Sequence, residues 1–223
     1  MIQIEACVES LEAAVAAAAG GAHRIELCVN LAVGGTSPSN ALLAACLSKL
    51  ALPVFVMVRP RGGDFCYSAA ERAGMLTEIG RAKEAGAQGI VMGALREGGT
   101  VDDTLTRELI AAARPLPVTF HRAFDDCLDA EKTLETLIAL GAARILTSGQ
   151  ATTAPQGAAM IAKLVRLAAG RIGILAGGGI NGDNVSALVR ASGVREVHLS
   201  TKDADKIRRV AESAFDPTHD VEP

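Results

Sequence analysis

Short apolar segments alternate along this chain with alanine-rich segments in which apolar residues recur at helical spacing. Each apolar segment has the length and the bounding residues that are typical of a buried strand. The predicted strands are residues 2–6, 24–27, 54–58, 89–92, 118–121, 144–147, 172–176 and 196–199. Helices are predicted between them, for example at residues 10–20, 133–140 and 157–167. Because parallel strands need a crossover connection, the strand-then-helix order predicts a parallel sheet.

A weak internal repeat divides the chain into units of similar size. The pattern Gly-Ala-x-x-Ile begins at Gly21, Gly86 and Gly141, with a looser copy at Gly193, and each glycine is predicted to end a helix. Eight such units predict a single (β/α)8 TIM barrel over residues 1–223, with a frayed tail from about residue 216. An open doubly wound sheet normally has G-x-G-x-x-G after its first strand, and that motif is absent at this position.

Composition excludes several classes of protein. Hydrophobic residues make up 49% of the 223 residues, so the chain has enough apolar surface to fold. The net charge of −3 and the aromatic content of 3% argue against nucleic-acid binding. The apolar runs are far shorter than the ~20 residues of a membrane span, and no signal peptide precedes the first predicted strand. We therefore expect a cytoplasmic protein whose five scattered cysteines are reduced.

Active sites of this fold lie at the carboxyl ends of the strands, so the residues there are the candidates for chemistry. Glu5 and Glu26 are polar residues inside apolar strands and should face the barrel interior, because the outer face packs on helices. Cys7 and Cys28 lie two residues further on and share that face. Two carboxylates and two thiols should thus lie near one mouth. In the alternative interpretation the glutamates only pair with Arg59 or Arg61 inside the barrel.

The segment from Arg59 to Asp64 places two guanidinium groups beside glycines. Arginine binds carboxylate and phosphate with two parallel hydrogen bonds, so Arg59 and Arg61 are candidate anion ligands. The alternative is an internal salt-bridge network with Glu26 and Asp64.

A second candidate for anion binding lies at the ends of the sixth and seventh predicted strands. Gly178 and Gly179 allow backbone amides to approach a ligand, and Thr147 and Ser148 offer hydroxyl donors. The alternative is that the glycines only serve a tight turn.

His121 ends the fifth predicted strand and is the natural group for proton transfer near neutral pH. Glu5 or Glu26 could orient its ring, and the three residues together form a candidate acid–base set. The alternative is a buried histidine of the core.

The two thiols support two interpretations. Converging cysteines suit Cu(I), which prefers soft sulfur ligands. Cysteine is more commonly a small buried hydrophobic residue, and no motif spacing distinguishes the two cases.

The motifs at these strand ends resemble those of the CutC family, named for copper homeostasis. The segments that carry the resemblance are residues 24–28, 34–39, 59–65, 119–125, 146–149 and 177–180. The resemblance covers residues 1 to about 200. It implies a cytoplasmic (β/α)8 barrel that forms a homo-oligomer, a dimer or tetramer, and that serves copper tolerance or binding. It also implies that the copper thiols are Cys7 and Cys28, with the other three cysteines outside the pair.

Three functions are therefore open. The first is a copper homeostasis protein that binds Cu(I) through Cys7 and Cys28. The second is an enzyme acting on a small anionic, phosphorylated or sugar-like molecule, with Glu5, Glu26 and His121 as acid–base groups. The third is a sensor or partner-binding barrel without catalysis.

Overall fold

A computed structural model of the chain describes residues 2–201 and 203–214. Its strands are β1 (Gln3–Val8), β2 (Arg24–Leu27), β3 (Val54–Met57), β4 (Gly89–Met92), β5 (Leu95–Arg96), β6 (Thr100–Val101), β7 (Val118–Phe120), β8 (Arg144–Thr147), β9 (Gly173–Gly177) and β10 (Glu196–Ser200). Its helices are α1 (Leu11–Ala19), α2 (Asn40–Lys49), α3 (Ala69–Ala85), α4 (Asp103–Ala113), α5 (Ala130–Leu140), α6 (Ala158–Ala168), α7 (Val185–Ser192) and α8 (Ala204–Ala214). The predicted frayed tail from about residue 216 lies outside the described residues.

Eight of the strands form a closed parallel barrel in the order β1-β10-β9-β8-β7-β4-β3-β2. The prediction of a (β/α)8 TIM barrel is confirmed, because each barrel strand is followed by a helix and pairs in parallel with both neighbours. The short strands β5 and β6 form an antiparallel hairpin between β4 and α4. This hairpin was not predicted, since strands of two residues carry no readable periodicity.

Side chains and glycines fix where the helices begin and end. Ser68 begins α3 with a capping box, in which its hydroxyl accepts from the Glu71 amide and the Glu71 carboxylate accepts from the Ser68 amide. Gly86 and Gly141 end α3 and α5 in the left-handed conformation, with φ of +93° and +86°. A residue with a β-carbon is strained there, which explains the repeated glycine that the sequence shows.

The buried apolar residues form two clusters. The larger one lies between the barrel and the helices and includes Ile4, Ile25 and Val56. The smaller one, of Cys7, Cys28, Phe55, Met57 and Val91, alternates with those positions along the strands and fills the barrel interior.

Within residues 2–201 and 203–214, none of the helices has the length and apolar character that a transmembrane span needs.

Candidate functional site

The thiols of Cys7 and Cys28 meet inside the barrel. Cys7 lies in β1 and Cys28 follows the last residue of β2, the strand that pairs with β1. Their Sγ atoms are 3.4 Å apart, and both residues are buried. Cys28 also donates to the Val8 carbonyl oxygen at 3.6 Å. The predicted convergence of the two thiols is therefore confirmed as geometry, and it brings two soft donor atoms to one point.

Glu26 lies beside this sulfur pair, opposite Cys7 in the β1–β2 register. Burial raises the pKa of Glu26, and the charge of Glu5 adds to the rise, against lowering contributions from His198, Cys7 and Arg24. Its Oε2 atom has no hydrogen-bond partner among the described residues. The hydrogen bond with Cys28, burial and the neighbouring Glu26 together raise the pKa of the Cys7 thiol well above its usual value.

Glu5 is held by the two residues that lie opposite it on the neighbouring strands. Its Oε2 accepts from Arg24 Nε at 2.5 Å, and its Oε1 is 2.8 Å from His198 Nδ1. Burial alone would raise the pKa of Glu5, but the hydrogen bond from His198 and the charge of Arg24 outweigh burial and lower it to about 2. Arg24 also donates to Glu196 at 2.8 Å. Glu5 is thus a buried, ionised carboxylate with two partners.

The partners of the two glutamates correct one interpretation of the sequence. The prediction that the glutamates pair with Arg59 or Arg61 is wrong. Glu5 pairs with Arg24 and His198 instead. Arg24 and His198 were missed as site residues. The alternation that placed Glu26 inside the barrel also places Arg24 there, two residues earlier on the same strand, and so was a signal that could have found it.

Arg59 holds the loops at the mouth together. Its guanidinium donates to the carbonyl oxygens of Val33, Gly35 and Gly63, at 3.0, 3.1 and 2.8 Å. The same group lies over the Phe65 ring, 4.7 Å from its centroid. Arg59 Nε is buried without a partner in the described part of the chain.

Arg61 is engaged in the network that the sequence offered as the alternative to anion binding. It pairs with Glu71 at 2.7 Å and with Asp64 at 3.0 Å, and it also donates to the Cys66 carbonyl oxygen. The expected partner Asp64 is therefore confirmed, whereas none of the ion pairs of Arg61 in the described part of the chain involves Glu26.

His121 is buried beside Phe65, with ring centroids 4.9 Å apart. Its Nδ1 accepts from the Ala123 amide at 3.2 Å, so the proton of the neutral ring is on Nε2, which has no partner within residues 2–201 and 203–214. Burial, and next the charge of Arg59, lower the pKa of His121 to about 3. No hydrogen bond in that part of the chain joins His121 to Glu5 or Glu26, so the backbone orients this ring and the glutamates do not.

Thr147 and Ser148 direct their hydroxyl groups to Asp125. The Thr147 hydroxyl donates to Asp125 at 2.5 Å, and the Ser148 amide donates to the same carboxylate. Arg122 bonds both Asp125 and the Ser148 hydroxyl. The hydroxyl groups predicted as anion ligands thus bind a carboxylate of the chain itself.

Gly178 lies beside Ser148 and Arg122, and its backbone has a φ of +105°. A β-carbon built there would lie 3.6 Å from Arg122 Nη1. The amides of Gly178 and Gly179 donate to no acceptor among the described residues. The structure thus places Gly178 near Arg122, a residue that the sequence analysis did not select, and Gly179 near Thr153.

Comparison with known proteins relates this chain to one family. The model of the CutC family matches residues 2–203. A Homo sapiens protein named copper homeostasis protein cutC homolog is 49% identical over 199 residues, which are 89% of this chain and 73% of the human protein. A family protein CutC of Pasteurella multocida is 47% identical over 90% of this chain and 82% of its own length.

Solved structures agree with the barrel. A putative copper homeostasis protein CutC from Streptococcus agalactiae has a TM-score of 0.86 at 36% identity, covering 90% of this chain and 99% of its own. A phosphoribosylanthranilate isomerase from Thermotoga maritima has a TM-score of 0.65 at 14% identity, covering 96% and 98%. The second likeness shows the fold alone.

Proposed function

The chain belongs to the CutC family, and on that premise we propose that it is a copper homeostasis protein that binds Cu(I) through Cys7 and Cys28. The names of its relatives support the role in copper homeostasis. The observation that carries the copper site is the 3.4 Å approach of the two sulfur atoms inside the barrel. Thiolates are the ligands that Cu(I) prefers.

The sulfur pair needs little rearrangement to hold the ion. With metal–sulfur distances of about 2.3 Å, a linear two-thiolate site requires sulfurs ~4.6 Å apart, roughly 1 Å more than in the free protein. A bent two-coordinate ion or a three-coordinate ion requires a smaller increase in the distance between the two sulfur atoms. The raised pKa of Cys7 means that the free protein holds a thiol, so copper binding displaces the proton from this sulfur.

A Cu(I) titration against a chromophoric chelator tests this site. We expect the wild type to bind one equivalent, and Cys7→Ser, Cys28→Ser and the double variant to lose that binding. Cys46→Ser is the matched control, because Cys46 is equally buried but belongs to the cluster outside the barrel. Copper stoichiometry that is unchanged in the double variant, or that is lost in Cys46→Ser, would contradict the proposal.

A second candidate function is the binding of a small anionic molecule under the loop that follows β3. It is favoured by two buried donors without partners, Arg59 Nε and His121 Nε2, which flank the same Phe65 ring. An unpaired buried donor costs free energy, and a carboxylate or phosphate oxygen would satisfy both. In an enzyme of this kind Glu26, whose pKa is raised, is the proton-transfer group, His121 donates a hydrogen bond, and Glu5 orients His198.

Thermal unfolding with and without millimolar phosphate tests the second candidate. A ligand that binds only the folded state raises the melting temperature. We expect the rise in the wild type and its loss in Arg59→Lys, which cannot reproduce the guanidinium, and in His121→Gln. Arg122→Ala is the control. A rise that disappears only in Arg122→Ala would place the anion beside Gly178 and refute the role of Arg59 and His121.

The cytoplasmic location and the homo-oligomer, which the family resemblance implies, stay predictions. Analytical ultracentrifugation distinguishes a dimer or tetramer from a monomer of 223 residues.

A further inference from the structure

A second set of metal ligands shares Cys7 with the sulfur pair. One ligand atom each from Cys7, Glu26 and His198 lies within 4.8 Å of the other two, and all three residues are buried. Cys7 lies on β1, and Glu26 and His198 lie on its two neighbours, β2 and β10. The pairing of these strands in the barrel therefore fixes the spacing of the three residues. Cys28 is not part of this second set.

Glu26 supplies the evidence that this set can take a cation. The residue is 1% exposed, and its Oε2 has no hydrogen-bond partner among the described residues. Such an oxygen is costly in a protein interior unless a donor or a metal ion satisfies it. A divalent ion bound by the Glu26 carboxylate, a Cys7 thiolate and a neutral His198 leaves the set with no net charge.

His198 is oriented as metal-binding histidines usually are. Glu5 Oε1 lies 2.8 Å from His198 Nδ1, and Glu5 Oε2 accepts from Arg24, so the carboxylate is the acceptor and His198 Nδ1 carries the proton. The ring therefore has Nε2 as its remaining nitrogen for a metal. Arg24 in turn holds Glu5. A carboxylate that fixes the ring of a ligating histidine is a recurring feature of zinc sites.

We propose that Cys7, Glu26 and His198 form a binding site for a divalent ion of the zinc type, with Glu5 as the positioning residue for His198. One thiolate, one imidazole and one carboxylate are all ligands of Zn²⁺, and a site with three protein ligands keeps a fourth position open. The site does not rest on the copper proposal, since its donor set differs. Because both sets use Cys7, Zn²⁺ and Cu(I) exclude one another.

Zinc titration of the metal-free protein against a chromophoric chelator tests the site, with Co²⁺ as a spectroscopic probe. We expect one equivalent in the wild type and a loss of affinity of at least tenfold in Glu26→Gln and in His198→Gln. Glu5→Gln should weaken binding about 10- to 100-fold, the range found for groups that orient a ligand. The sulfur-to-cobalt absorption band should be present in the wild type and absent in Cys7→Ser.

Cys28→Ser separates this site from the copper site. We expect this variant to keep its Zn²⁺ affinity and to lose Cu(I) binding. An equal loss of zinc in Cys28→Ser and Cys7→Ser would assign the divalent ion to the sulfur pair and overturn the proposal. Unchanged zinc affinity in both Glu26→Gln and His198→Gln, or no zinc binding by the wild type, would overturn it as well. If Glu26→Gln fails to fold, His198→Gln and the cobalt spectrum decide the question.

Discussion

Replacing Glu5 by glutamine removes the charge at the centre of the buried network inside the barrel. The variant keeps the size of the side chain and leaves Arg24 its second partner, Glu196, at 2.8 Å. It removes the ion pair with Arg24 and the carboxylate that accepts from His198. The change therefore isolates the contribution of one buried negative charge to the stability of the barrel.

The magnitude follows from the pKa of Glu5. The folded protein holds it at about 2, against an ordinary value of 4.5. A group with a lowered pKa stabilises the fold above its unfolded pKa, and this contribution is lost as the pH falls through the folded pKa. The difference of pKa corresponds to about 3 kcal/mol at pH 7, and this contribution falls to about 1 kcal/mol at pH 3.

Urea unfolding of the wild type and of Glu5→Gln between pH 7 and pH 3 measures this contribution. We expect the free-energy difference between the two proteins to shrink by about half or more over that range. Glu135→Gln is the control, because it removes the exposed ion pair with Arg171 and should change stability little at any pH. A difference between wild type and Glu5→Gln that is independent of pH, or a variant as stable as the wild type at pH 7, would show that the Glu5 charge does not stabilise the barrel.

Three other predictions concern the barrel and its mouth. Gly89→Ala should destabilise the protein by about 1–3 kcal/mol in urea unfolding, because the new β-carbon would overlap the Phe55 ring. Gly80→Ala in α3 is the control, since its β-carbon meets nothing within 4 Å and the change should be neutral or stabilising; equal effects of the two changes would contradict this. Arg59→Ala should lower the free energy of unfolding by about 1–3 kcal/mol, because it leaves the carbonyl oxygen of the buried residue Gly35 without this donor; an unchanged free energy would show that this bond contributes nothing. His121, with a pKa of about 3, should stay neutral in NMR titrations from pH 7 to about pH 4; an inflection near its ordinary value would contradict its burial.

The sign of the His121 contribution is opposite to the usual case for histidine. Its folded pKa lies below its unfolded pKa, so the unfolded chain takes up the proton first as the pH falls below about 6.5. His121 therefore makes the fold less stable on acidification through this range, and His121→Gln should reduce that part of the pH dependence.

The strands and the direction of their side chains could be predicted from the sequence. Short apolar runs marked all eight barrel strands, three of them shortly after a Gly-Ala pair, and alternation placed Glu5 and Glu26 inside. The reason is physical, because a barrel strand has an apolar outer face and only its inner face tolerates a charge. The convergence of Cys7 and Cys28 followed from the same rule, since both lie two residues beyond a glutamate on neighbouring strands.

The partners of the charged residues could not be predicted in the same way. Alternation shows which face a side chain occupies but not how far a long arginine reaches or which oxygen it meets. Arg59 binds loop carbonyls that are distant in sequence, and Arg61 binds Glu71. His198 lies on the last strand, and only the closure of the barrel brings it beside Glu5 on the first. These contacts depend on register and loop shape, which a single sequence does not specify.

Copper X-ray absorption of the Cu(I)-loaded protein identifies the atoms that bind the ion. We expect two sulfur neighbours at about 2.3 Å in the wild type, which is the distance typical of metal thiolates. A wild-type spectrum with only nitrogen and oxygen neighbours, or sulfur neighbours that persist in the Cys7→Ser, Cys28→Ser double variant, would contradict the proposed copper site.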